Sequence, residues 1–96
     1  MGEQQTGRFQ VVVEEGSPHG DLYELEQTTY YRVVDTRSKK VMMTLQSKME
    51  ASLSTSTGMW DDHHFYGVRQ VTITPDERSV IVNYYDGREE IVLLPQ

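Results

Sequence analysis

Alternation of apolar and polar residues with a period of two, interrupted at short intervals by turn chemistry, is what most constrains this chain. The stretch "SVIVNYYDGREEIVLL" shows it in full: Val80, Val82 and Tyr84 fall on one side, and Ile81 and Tyr85 fall on the other. Successive side chains of an extended chain point to opposite faces, so this pattern makes a sheet with one covered face. Asp86-Gly87, between two β-rich runs, predicts a hairpin through a tight primed turn, because glycine and small polar residues accept its positive φ.

The same reading extends along the chain. In "RFQVVVE", Phe9, Val11 and Val13 share a side, and "EGSPHGD" is a loop by its Gly, Pro and Ser content. "YELEQTTYYRVVD" sets Tyr23, Leu25, Thr29, Tyr31 and Val33 against Glu24, Glu26, Tyr30 and Arg32. A polar reversal, "TRSKK", leads into "VMMTLQS", where Val41, Met43 and Leu45 alternate against Met42 and Thr44. "KMEASLSTSTG" satisfies both strand and helix spacing, and its Ser and Thr content favours a continued strand or an irregular stretch. "VRQVTIT" places Val71 and Ile73 on one face, and Pro75 opens a type I turn in "PDER". Each Tyr-Tyr pair, 30–31 and 84–85, puts one ring on each face of a strand, one in the core and the other at the surface or an interface. The expectation is an all-β, single small domain of six or seven antiparallel strands. These form a meander folded as a small sandwich or open barrel over residues 8–96, after a flexible tail at 1–7.

The stretch "GVRQVTITPDERSVIVNYYDGREEIVLL" resembles a β-propeller blade of the WD-repeat type. Thr74-Pro75-Asp76-Glu77-Arg78 stands for the blade's turn and Asp86-Gly87 for its hairpin, while "YYRVVDTRSKKVMMTL" looks like third and fourth strands with Val34-Asp35 near the Trp-Asp position. The resemblance covers roughly half the chain. Glu77 replaces the usual turn glycine, and no Gly-His pair is present. A propeller needs at least four blades of four strands, more than this chain can supply. What the resemblance implies is a blade-like meander, used alone or assembled between subunits.

Composition narrows the function. At 96 residues the chain holds one modest core. It has no cysteine, so disulfides, thiolate metal sites and a cysteine nucleophile are excluded. A net charge of −6 argues against nonspecific binding to nucleic acid or to an acidic membrane. Charge is uneven: residues 1–27 carry net −5 and 50–96 net −5, with a net +4 island at 32–48 formed by Arg32, Arg37, Lys39, Lys40 and Lys48 against one acid. The polar start "MGEQQTGRFQ" lacks the apolar stretch of a secretory signal, and no apolar run is long enough to span a bilayer. Met-Gly followed by Thr6 matches a myristoylation signal only formally. The expected location is the cytoplasm.

The candidate site is "MWDDHHFYG", in which Trp60, Asp61, Asp62, His63, His64, Phe65 and Tyr66 lie between Gly58 and Gly67. A metal would need three or four ligands converging on it. On an extended chain only Asp61 with His63, or Asp62 with His64, share a face, and His19 lies in a distant loop. No nucleophile elbow and no Gly-rich phosphate loop accompany the serines and histidines. No catalytic residue, metal or cofactor is therefore assigned. Rigid aromatics among small and polar residues are the makeup of binding hot spots, and the alternative is that Trp60 and Phe65 fold back to cap an open end of the sheet. The segment reads as a surface loop between strand groups, and its histidines would make partner binding pH-dependent. The leading expectation is a noncatalytic module that binds a protein through this aromatic loop or an uncovered sheet edge. Its alternatives are a self-assembling structural protein, and a small enzyme or metal binder using Asp61–His64.

Overall fold

The computed structural model describes residues 7–21, 23–53 and 60–95, and among these every regular element is a strand. The strands are β1 (Phe9–Glu15), β2 (His19–Gly20), β3 (Glu24–Asp35), β4 (Lys40–Leu53), β5 (Trp60–Ile73), β6 (Ser79–Tyr84) and β7 (Glu89–Leu93). They form one antiparallel sheet in the order β1-β3-β4-β5-β6-β7, with β2 paired to β3. This is the expected all-β meander. Of the expected tail, residues 1–6 lie outside the described residues. Gly7 lies against Glu77, whose carboxylate a side chain at position 7 would meet.

One end of the sheet is closed over the core. Phe9, Val33, Val68, Val80, Val82 and Leu94 are buried there, with Val11, Tyr31, Met43, Leu45, Val71, Ile73, Tyr84 and Val92 packed around them. These are mainly the residues that alternation assigns to one face. The fold-back that brings β5 to β7 over β1 and β3 happens within β5, through two local irregularities. Gly67 has φ of 83°, which a side chain at that position would resist. Between Val68 and Gln70 the register with β6 shifts by one, so Arg69 is an extra residue and Val68 and Val71 both reach the core.

A second bulge corrects the simple alternation in β4. Val33 pairs with Met43 but Val34 with Val41, so Met42 is inserted. Met42 and Met43 accordingly both pack against the core, and Val41, expected on the Met43 side, is exposed.

The turns show what local chemistry dictates. Glu77 N–H donates to Thr74 O at 2.8 Å, closing the four-residue turn that Pro75 opens, and Glu77 itself takes φ of 58°. The Asp86-Gly87 hairpin differs from the two-residue primed turn expected. Tyr84 N–H donates to Arg88 O, and Gly87 N–H to Tyr84 O, so the loop has three residues. Of the two central residues expected to take positive φ, only Gly87 does, at 94°. That is the arrangement of a type I turn followed by a left-handed glycine.

Asp35 ties the closed end together. Its Oδ2 accepts from Arg8 Nε at 3.2 Å and Nη2 at 2.9 Å, and its Oδ1 accepts the backbone N–H of Arg37 at 2.9 Å. Phe9 N–H donates to Glu77 Oε2 at 3.1 Å. Thus the start of β1 is held to the β3–β4 turn by one carboxylate and to the β5–β6 turn by another.

Candidate functional site

The segment read as an aromatic loop is a strand. Trp60 to Tyr66 form the first half of β5 and pair with β4: Leu53 faces Trp60, Ser52 faces Asp61, Glu50 faces His64, Met49 faces Phe65 and Lys48 faces Tyr66. Loop residues seldom find so long a complementary strand; here the 14-residue β4 supplies it. The side chains of Trp60, Asp61 and Asp62, and residues 54–59, lie outside the described residues.

Alternation separates the two histidines. His63 lines one face with Phe65, and His64 lines the other beside Glu50. Between His64 and Asp61 the register shifts, because β5 spends three steps where β4 spends two.

On the outer face, sheet register assembles a row that sequence distance hides. His19 faces Glu26, Glu26 faces Glu50, and Glu50 faces His64, across β2, β3, β4 and β5. His19, expected in a loop, belongs to the short strand β2 within it. Lys48 Nζ lies 3.1 Å from Glu26 Oε2 and 3.4 Å from Glu50 Oε2, and these hydrogen-bonded carboxylates hold its ammonium above the ordinary lysine range. His19 Nε2 is 3.8 Å from Glu26 Oε1, and the His64 ring stacks against Tyr66 at 6.5 Å between centroids. A groove of about 350 Å³ runs along this row. Among the described residues no three of His, Asp and Glu come together as a metal site.

The inner face beyond the core is open and mixed in character, with Glu15, Gln27 and Thr29 lining it beside its apolar side chains. Phe65 and Tyr85 stack at 5.3 Å, and each is exposed by 40% or more. They form a ridge between two shallow grooves. One, of about 300 Å³, is lined by Val13, Tyr31, Met49 and His63 among others. The other, of about 220 Å³, runs between Tyr66, Tyr84 and Arg88, whose guanidinium carbon sits 4.3 Å from the Tyr84 ring centre. Sequence reasoning found Phe65 and Tyr66 but gave Tyr85 only as the outward ring of its pair, at the surface or an interface. Its juxtaposition with Phe65 follows only from the turn at Gly67, where Tyr85 N–H donates to Gly67 O at 3.0 Å.

Strand pairing also leaves an edge. β6 pairs with β5 only from Val68 onward, so the side of Trp60–Tyr66 that faces away from β4 is paired with no strand among the described residues. Comparison of the chain with protein-family models, with curated proteins and with solved structures found no significant match. Among the described residues no helix is long and apolar enough to cross a membrane.

Proposed function

We propose that this protein is a noncatalytic, cytoplasmic protein-binding module that takes an extended segment of its partner along the first half of β5. The observation that supports this reading is the coincidence of an unpaired strand edge at Trp60–Tyr66 with the exposed Phe65–Tyr85 ridge. Main-chain hydrogen bonds along such an edge supply affinity for an extended peptide, and the flanking grooves select its alternate side chains. Aromatic anchors beside small grooves concentrate binding energy in few residues.

The test compares partners recovered from native cell extract by the wild-type protein and by Phe65→Ala and Tyr85→Ala variants. Both positions are substantially exposed, so the variants are expected to fold, which circular dichroism checks. A partner retained by the wild type and weakened at least about tenfold by either variant supports the reading, since truncating a hot-spot aromatic costs roughly 2 kcal/mol or more. Equal capture by all three proteins would remove the ridge as the binding site.

A further inference from the structure

The opposite end of the sheet ends in a different kind of edge. β7 closes the strand path, so only β6 borders it among the described residues. Tyr84 N–H donates to Arg88 O, and Leu94 N–H donates to Arg78 O, which fixes the even-numbered residues from 88 to 94 as those whose backbone addresses β6. In an antiparallel ladder the residues between them, Glu89, Ile91 and Leu93, turn N–H and C=O the other way. Two of these are large and apolar, with Ile91 62% and Leu93 78% exposed, and Ile91 lies directly across from Ile81. Free edges with exposed apolar side chains are sites of strand addition.

We propose that two copies of this chain pair β7 to β7, antiparallel, about a two-fold axis through Ile91. The occupant follows from register and charge. With Ile91 opposite Ile91 of the second copy, Glu89 of each copy faces Leu93 of the other and Glu90 faces Val92. All three outward-facing residues then exchange backbone hydrogen bonds, and no carboxylate opposes another. The isoleucines at 81 and 91 of both copies become one continuous row on the outer face. Centring the pair on Glu90 would set two carboxylates face to face, a destabilising arrangement. Centring it on Val92 would bring Glu89 against Pro95, which has no N–H to give. The contact is isologous, so it closes at two copies and consumes the edge.

Sedimentation velocity over a concentration series tests this on the full chain, with a limiting mass of twice 11.1 kDa expected. Ile91→Glu places two carboxylates across the axis and is expected to give a monomer that keeps the wild-type circular dichroism spectrum. The chain has no cysteine, so Ile91→Cys introduces a single thiol per copy. Hydrogen-bonded antiparallel partners have Cα atoms about 5.5 Å apart, within disulfide reach, so mild oxidation is expected to give a covalent dimer. Leu93→Cys, which faces Glu89 of the second copy, is expected to stay uncrosslinked. A wild-type protein that remains monomeric throughout, or an Ile91→Glu variant that still dimerises, overturns the proposal. So does equal crosslinking of both cysteine variants, which denies the register, or open-ended growth in mass, the mark of β7 joining another strand of the next copy.

Discussion

Lys39 closes the β3–β4 turn in the left-handed region, at φ of 64°, with its N–H donating to Asp35 O at 2.8 Å. A side chain there costs roughly 1 to 2 kcal/mol, against which glycine's greater unfolded freedom costs about 0.5 to 1. Lys39→Gly is therefore expected to stabilise the protein by about 0.5 to 1 kcal/mol, read from urea unfolding midpoints. Asp35, four residues earlier, contributes to the acid dependence together with Asp21, Asp76 and Asp86, whose carboxyl pKa values are also lowered by hydrogen bonds. The Arg8 guanidinium hydrogen-bonded to Asp35, with the N–H groups of Arg37 and Ser38, holds its carboxyl down to about 2 from an ordinary 3.8. The folded state thus binds this proton more weakly than the unfolded chain. Its contribution is fully present above pH 3.8 and is lost as pH falls through about 2. The melting temperature is expected to drop across that window, and Asp35→Asn to start lower at neutral pH with a shallower drop.

Among the elements, β5 is the one that does two jobs, and Gly67 divides them. N-terminal to it the strand belongs with β4; C-terminal to it the strand belongs with β6. A Cβ at this position would lie 2.7 Å from Gln46 O, in a backbone conformation that L side chains rarely adopt. Gly67→Ala is expected to cost on the order of 2 to 3 kcal/mol. Because the turn also presents Tyr85 to Phe65, the variant is further expected to lose partner capture more than its remaining folded fraction explains. Equal fractional losses of folding and capture would show that the Phe65–Tyr85 ridge does not depend on this residue.

At the scale of the molecule, the shape follows from where the core sits. The extents are 53 × 27 × 25 Å, because β3, β4 and β5 run on well past the end that β6 and β7 cover. Stability should therefore be concentrated at the closed end. Val33→Ala, at a fully buried position, is expected to cost about 2 kcal/mol. Val13→Ala, on the same face but 56% exposed, is expected to change stability by less than roughly 0.5 kcal/mol. Similar costs at the two positions in denaturant titrations would contradict this division.

The period-two pattern and the turn residues act over a few neighbouring positions, through side-chain direction and allowed φ. For that reason the strands, the Pro75 turn, the hairpin at Asp86-Gly87 and the two faces of the Tyr30-Tyr31 pair could be read from the sequence by itself, whereas Tyr85, in the turn, joins Tyr84 on the inner face. The bulges at Met42 and Arg69, the pairing of Trp60–Tyr66 with β4, and the gathering of His19 with His64 depend on register between strands remote in the chain. Turn composition suggests a loop at His19 just as mixed polarity does at Asp61–His64, and neither carries any mark of the partner strand that extends it. Only the tertiary structure decided which end of the sheet is covered, because that is set by where β5 bends back and not by the alternation that all its strands share.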